Sequence, residues 1–483
     1  MKVLFNVNAV TSGYEEYYGG NSNLTHRTFP NGILYMAAVL EKHGHEVQIY
    51  DGSVDSRQPK DFISFKPDVI GFSVLLGPNL EGSIAQSKEF KEILPEAKIV
   101  WGNVLPSVLT QQTIVEPYID YVAVGAAEYT LLELVQHLEN GSPNLEEING
   151  LVYKKDGKIC FNEPRPFIEN LEDLPNPAWH LIDVNKYSDF AFNTSRGCVN
   201  HCGFCYNKAY NKGYTSWISA EKIISQIEYM QKHFGKDYLI RFAEDNFTFN
   251  RKRLQKFCNL VIEKNLGIRW YCDSRADLDE TSVALMEKSG CVSVALGVET
   301  GSPRMLDFIQ KQVTVEDIER TFWLFVKYKI RTTVYIISGM PTETVEDFKE
   351  TRELLARLDN PYYVTHRFIP YPGSDLFDYC VNNGLVTPPE KLEDWPKYLM
   401  QFTQNVNLSE VPEEVIEEAE VKFRKTYALQ RFRFTLRHNP SYFWTIFTNP
   451  LKFYRDLRAL LKYQSHIRQF HKTLQNRLST SSK

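Results

Sequence analysis

The chain has 483 residues, 43% hydrophobic and 24% charged, enough for two or three globular domains with buried cores. No uninterrupted apolar run reaches spanning length, and the start, Met1-Lys2-Val3-Leu4-Phe5-Asn6-Val7, is too short and polar for a secretory leader, so a cytoplasmic protein is expected. The net charge of −5 is unevenly spread: from residue 421 onward fourteen Lys and Arg face a single acid, Asp456, a surplus of 13 that leaves −18 on the first 420 residues. An acidic body with a basic tail suggests a separate partner for the tail.

In chain order, Lys2 to Val7 is expected as a buried strand, Asn31 to His43 as an amphipathic helix ended by Gly44, and Val47 to Tyr50 as the next strand. The rhythm repeats with strand Val69 to Val74, helix Leu80 to Ile93, strand Lys98 to Trp101, a helix near Pro106 to Val115, strand Tyr121 to Val124 and helix Glu128 to Leu138. This alternation predicts a doubly wound, Rossmann-like parallel sheet over 1–145, with its ligand site at the carboxyl ends of the strands. Small and polar residues collect there: Ser73, then Gly102 and Asn103, then Gly125 to Glu128. Glycine at such a place lets a bulky ligand approach the backbone, and equally suits the tight turns of an ordinary domain of this class.

Residues 146–188, with a turn at Asp156-Gly157 and the run Leu171 to Pro177, read as a linker. A second α/β unit, 189–385, opens on strand Asp189 to Thr194, which delivers Ser195-Arg196-Gly197-Cys198-Val199-Asn200-His201-Cys202-Gly203-Phe204-Cys205. Three cysteines at C-x3-C-x2-C spacing on one tight loop can hold three irons of a cubane cluster and leave the fourth open for chemistry. The rival is zinc with His201 as fourth ligand, weakened because structural zinc takes paired ligands from two knuckles and no second pair lies nearby. Disulfides are not expected of eight cysteines in a chain without a secretory leader.

Five further strands, Tyr238 to Ala243, Arg269 to Ser274, Val292 to Leu296, Arg331 to Ile337 and Tyr363 to Phe368, alternate with helices. The six β/α repeats fit a partial (β/α)6 barrel, whose chemistry collects at the carboxyl ends of its strands. Glu244, Asp245, Ser274, Arg275, Glu299 and Gly339-Met340-Pro341 all fall at that rim. Singly, each is an ordinary solvated loop residue; together they suit a ligand with an ammonium, a carboxylate and a diol. Cys272 and Cys380 fit either buried thiols or positions at the barrel mouth.

The cysteine loop, with its leading Ser-Arg-Gly and with Phe204 before the third cysteine, resembles the radical S-adenosylmethionine (SAM) superfamily. Pro30 to Asp51, Asp68 to Ser73 and Asp120 to Leu132 resemble the cobalamin-binding domain of a subclass that includes methyltransferases acting on unactivated carbon and the anaerobic magnesium-protoporphyrin cyclase. This resemblance implies a [4Fe-4S] cluster on Cys198, Cys202 and Cys205. It implies SAM at Phe204, Glu244, Asp245, Ser274, Arg275, Glu299, Gly339 and Pro341, and cobalamin at Ser73, Gly102, Asn103, Gly125 and Glu128. Arg241 to Phe247 takes the place of the motif for the SAM amino group, Leu296 to Ser302 that of the ribose element, Ile337 to Thr344 that of the element near adenine, and Tyr371 to Leu376 that of the barrel-closing segment. The D-x-H-x-x-G signature is absent, and Trp101-Gly102-Asn103-Val104 and Gly125-Ala126-Ala127-Glu128 depart from the subclass elements Gly-Gly-x-His and Gly-Glu-Gly-Glu. Cobalamin is therefore expected without a protein histidine on cobalt.

The implied activity is SAM cleavage and hydrogen abstraction from an unactivated carbon, with methyl transfer the main reading and cyclisation or rearrangement the alternative. A non-catalytic cluster or cobalamin sensor is the reading from another class, and it has no use for the SAM-side residues. The expected partners are a small-molecule or lipid substrate and a low-potential electron donor such as flavodoxin or ferredoxin. In the helical, basic region 386–483, residues 451 to 478 set Phe453, Leu457, Leu460, Tyr463, Ile467, Phe470, Leu474 and Leu478 at three- and four-residue steps, one apolar stripe on a helix. Such a helix either packs on the barrel or lies peripherally on a membrane, and the dense stripe argues against nucleic acid.

Overall fold

The computed structural model of the chain describes residues 1–7, 28–77, 79–359, 362–404, 406–419 and 454. The stripe expected over 451–478 lies, Tyr454 apart, outside the described residues. Strands β1 (Lys2–Val7), β2 (Glu46–Asp51), β3 (Val69–Ser73), β4 (Lys98–Gly102) and β5 (Tyr121–Ala123) run parallel in the order β2-β1-β3-β4-β5. They are rich in Val, Ile and aromatic residues because both faces are covered. Helices Asn31–Lys42 and Glu128–Asn140 pack on one face, and helix Leu80–Ile93 on the other. The helix expected near Pro106 to Val115 is two short ones, Val104–Val108 and Thr110–Ile114.

Two segments outside 1–145 complete this sheet. The stretch read as the start of a linker forms a hairpin, β6 (Leu151–Lys155) and β7 (Lys158–Phe161), added antiparallel to β5. Asp156 (φ 50°) and Gly157 (φ 75°) are both left-handed, and such a two-residue turn carries the twist that lets a hairpin close. The second segment is helix Trp395–Gln404, which packs on the face of helix Leu80–Ile93. There Trp395 is buried and donates from Nε1 to Gln112 Oε1 at 2.6 Å.

Between the two sheets, Trp179 packs against Phe190 and Phe192 with ring centroids 5.4 and 5.5 Å away, and Tyr187 donates to Asp51 Oδ2 at 2.9 Å. One apolar core thus runs from the helices of the first sheet into the second. The second sheet holds the six expected parallel strands: β8 (Phe190–Phe192), β11 (Leu239–Phe242), β12 (Arg269–Ser274), β13 (Cys291–Glu299), β14 (Arg331–Ser338) and β15 (Tyr363–Arg367), in the order β15-β14-β13-β12-β11-β8. After β8 the chain leaves the sheet, and β9 (Ser195–Arg196) pairs antiparallel with β10 (Ser216–Trp217). Cys272 alternates with Tyr271 and Asp273 along β12 and is buried in the apolar core, and Cys380 is buried against Met305, Met340 and Leu376. Both are therefore core thiols. Among the described residues no helix is long and apolar enough to cross a membrane.

Replacing Trp395 by Ala removes a fully buried ring and leaves Gln112 without its donor. The expected cost is about 3–5 kcal/mol, read as a lowered urea midpoint; a cost under about 1 kcal/mol would show that this helix does not hold the first sheet.

Candidate active site

The cysteine loop is clamped from all sides. Gly197 has φ +75°, and a Cβ there would lie 2.1 Å from the Tyr214 carbonyl oxygen, so no other residue fits. Gly203 donates its N–H to the Ile309 carbonyl and accepts from Leu376 N–H, both at 2.8 Å, while Cys205 N–H closes on the Cys202 carbonyl at 3.0 Å. Asn200 Nδ2 lies 3.3 Å from Cys198 Sγ, and Arg275 Nη1 lies 3.5 Å from Cys202 Sγ. Donors aimed at sulfur suit thiolates in a metal cluster. Burial, helped by the nearby Asp245 and the other two cysteines, pushes the Cys205 thiol up to about 12, so its thiolate needs a cationic ligand beside it.

Among the described residues no three His, Cys, Asp or Glu side chains converge on a single-ion site. His201 is exposed, with its ring against the Gly213 turn. Both facts weigh against the zinc reading, whereas thiolates on three separate irons need no common point. The residues present fit the cluster.

Around the loop stand most of the residues expected for SAM. Phe204 packs with Met305, Ile309 and Met340, and the Lys311 ammonium lies 5.8 Å from its ring centroid. Lys311 in turn pairs with Glu299 at 2.7 Å, both buried, and its carbonyl accepts from Arg275. Glu299 sits at a β-bulge with φ +69°, a conformation that a non-glycine residue keeps only when its surroundings impose it. Gly339 and Met340 donate their N–H groups to Glu343 Oε2 at 2.7 and 3.3 Å, which fixes the turn before Pro341, and burial pushes Glu343 up to about 7. Ser274 Oγ shares a hydrogen bond with Thr248 Oγ1 at 2.7 Å.

Glu244 and Asp245, adjacent in sequence, part ways. The Glu244 carboxylate accepts from the Thr194 and Ser195 hydroxyls, and Arg253 Nη1 lies 3.9 Å from it. It braces the backbone that leads into the cluster loop. Asp245 opens instead into a cavity, where burial raises its carboxyl above the usual range and a hydrogen bond from Asn207 opposes the rise.

That cavity, of about 570 Å³, lies between the carboxyl ends of the two sheets. All five residues expected for cobalamin, Ser73, Gly102, Asn103, Gly125 and Glu128, line it from the first sheet; Asp245 and Asp273 line it from the second, and Ser195 to Gly197 from the cluster loop. Asn103 holds φ +81° and is tied by Nδ2 to Ser73 Oγ at 2.9 Å; Gly125 has φ +77° with open space where a Cβ would be. Among the described residues no histidine lines the cavity. A cradle of glycines and short polar side chains fits a large planar ligand held by backbone contact.

Glu128 has a second attachment. Its buried carboxylate meets Arg196 Nη2 at 2.5 Å, and Arg196 lies over the Tyr35 ring. Tyr210 Oη donates to the Gly125 carbonyl at 3.1 Å. The cavity wall is thereby tied to the cluster loop. Sequence reasoning missed Lys311, Arg253 and this role of Arg196: Arg196 stood inside the quoted motif, while Lys311 and Arg253 carry no local signal, since tertiary contacts alone bring them in.

Replacing Cys198, Cys202 and Cys205 together by Ala is expected to abolish the visible iron–sulfur absorption of anaerobically reconstituted protein. Gly197→Ala should lower it with all three cysteines intact, through the clash at Tyr214. Full absorption in the triple variant would show that the cluster lies elsewhere, and full absorption in Gly197→Ala that the loop does not need this glycine to hold it.

Comparison with known proteins agrees with this geometry. The family model for the radical SAM superfamily matches residues 192–355, and that for the B12 binding domain matches residues 20–135. An uncharacterized methyltransferase of Pyrococcus horikoshii is 30% identical over 380 residues, 76% of this chain and 81% of its own. The anaerobic magnesium-protoporphyrin IX monomethyl ester cyclase of Rubrivivax gelatinosus is 27% identical, over 75% of this chain and 68% of its own. Among solved structures, the radical SAM methyltransferase TsrM from Kitasatospora setae, with cobalamin and a [4Fe-4S] cluster bound, shares the fold at a TM-score of 0.66 and 16% identity, over 80% of this chain and 76% of its own. With its cluster loop at one wall of a cavity and its glycine cradle at the other, the chain belongs to the cobalamin-dependent radical SAM enzymes, whose cofactors are a [4Fe-4S] cluster, SAM and cobalamin.

Proposed function

We propose that this enzyme transfers a methyl group to an unactivated carbon of a small molecule held in the cavity between its two sheets. The observation that carries this reading is the shared cavity: the five cobalamin-side residues and Asp245 line one space. When bound, the cofactors supply hydrogen abstraction and a transferable methyl group. The chain's own residues hold and orient. Cys198, Cys202 and Cys205 would hold the cluster, with Arg275 and Asn200 donating to sulfur. Phe204, the Glu299–Lys311 pair and the Gly339–Pro341 turn would seat SAM beside the open iron, with Asp245 accepting from its ammonium. Ser73, Gly102, Asn103 and Gly125 would carry the corrinoid, and Glu128 would keep that wall in register with the cluster loop through Arg196.

Radical SAM enzymes act on a substrate and need a reductant. For this chain we propose a flavodoxin or ferredoxin as donor, a cytoplasmic location, and contact of the basic tail with an anionic membrane surface. Cyclisation, as in the Rubrivivax relative, remains the second reading because the corrinoid site is compatible with both.

The test is anaerobic reconstitution with iron, sulfide and hydroxocobalamin, followed by SAM and dithionite. Corrinoid should stay with the protein through gel filtration, and 5′-deoxyadenosine should form. Gly102→Leu, which places a side chain in the cradle, should cut retained corrinoid at least tenfold with the cluster absorption intact. Wild-type protein that retains no corrinoid would remove methyl transfer from this site.

A further inference from the structure

Two charged side chains in the cavity form no hydrogen bond or ion pair among the described residues. Arg241, in β11, and Asp273, in β12, both line it. Neither makes a hydrogen bond or an ion pair with any described residue; the neighbour of the Arg241 guanidinium is the Tyr271 ring, 5.9 Å away, and the Tyr271 hydroxyl is itself taken up by Asp189. The other buried charges at the site behave differently: Glu128 has Arg196, Glu299 has Lys311, and Glu244 has Arg253 with two hydroxyls. A charge drawn away from bulk water is costly unless something pairs with it. Arg241 and Asp273 offset each other in part without closing an ion pair, and a ligand in the cavity would complete the pairing.

Both groups lie on the barrel side of the cavity, beside Asp245. In parallel register Arg241 faces Tyr271, and Asp273 faces Ala295, with Gly297 further along the same strand.

We infer that Arg241 and Asp273 are the substrate-recognition pair of this enzyme, and that its substrate is a small water-soluble molecule carrying an oxyanion for Arg241 and an ammonium or hydroxyl group for Asp273. This rests on the reading that the cavity is the reaction site, and it narrows that reading by excluding a lipid. A guanidinium offers paired donors to a carboxylate or phosphate. Burial holds the Asp273 carboxyl up at about 6, with Asp245 raising it further and Arg241 lowering it, so it meets its partner as either acceptor or donor.

The test uses holoenzyme reconstituted with cluster and hydroxocobalamin, SAM deuterated in its methyl group, and dithionite. It is given, separately, the water-soluble and the lipid extract of the cells that produce it. Deuterium should enter a compound from the water-soluble extract that an anion exchanger retains, and phosphatase treatment then distinguishes a phosphate from a carboxylate. Arg241→Gln and Asp273→Asn should each lower that labelling at least tenfold, with cluster absorption and retained corrinoid reporting intact folding, and Arg241→Lys should restore part of it. Label in the lipid extract, label in an uncharged product, unchanged labelling in both variants, or SAM cleavage with no label in either extract would each overturn the inference. Failure of the wild type to cleave SAM at all would instead overturn the reading of the site.

Discussion

The Glu128 carboxylate is only 1% exposed, and the guanidinium that meets it belongs to the residue two before the first cluster cysteine. Removing Arg196 would leave an uncompensated buried carboxylate, a loss of about 3–5 kcal/mol. The pair therefore fixes more than itself. Glu128 opens the helix that follows β5, so it carries the position of the first sheet's strand ends, while Arg196 carries that of the cysteine loop. Tyr210 on Gly125 and Tyr35 on the Asn193 carbonyl, each at 3.1 Å, repeat the tie on either side. The distance between the two halves of the site is thus set by buried polar contacts at its rim, with Trp179 packing behind them.

What the sequence makes legible here is what local spacing encodes. The cysteine triplet, the alternation of strands and helices, and the small residues at strand ends are all visible because each depends on neighbours within a few positions. The turn at Asp156-Gly157 is equally local and legible; its flanking strands are not, because Lys154, Lys155 and Lys158 break the apolar pattern on an edge that needs no second covered face. Lys311 and Trp395 belong to another category. Nothing near Lys311 signals that it will meet Glu299, and nothing near Trp395 signals that a helix after the barrel returns to the first sheet; both follow from contacts that only the assembled fold creates.

Backbone strain marks the same places that composition does. Asn103 and Glu299 both hold positive φ, at +81° and +69°, one at each end of the site, and each has a side chain pinned by a partner: Ser73 for Asn103, Lys311 for Glu299. Such conformations cost on the order of 1–3 kcal/mol and persist where the surroundings over-determine them. Both residues also stand out in the sequence by their position at strand ends, so strain and position report one site from independent directions.

The return of helix Trp395–Gln404 to the first sheet governs the order in which the protein can be made. Synthesis proceeds from the amino terminus, and the strands through Phe161 emerge well before residue 404 does. On one face of that sheet helix Leu80–Ile93 is already in place beside Phe72 and Trp101, but the part of that apolar cluster which Trp395, Tyr398 and Phe402 complete waits while the whole barrel is translated. The apolar cluster of the first sheet is therefore completed last although its strands are synthesised first, and a nascent chain stalled within the barrel would present the unfinished cluster to chaperones.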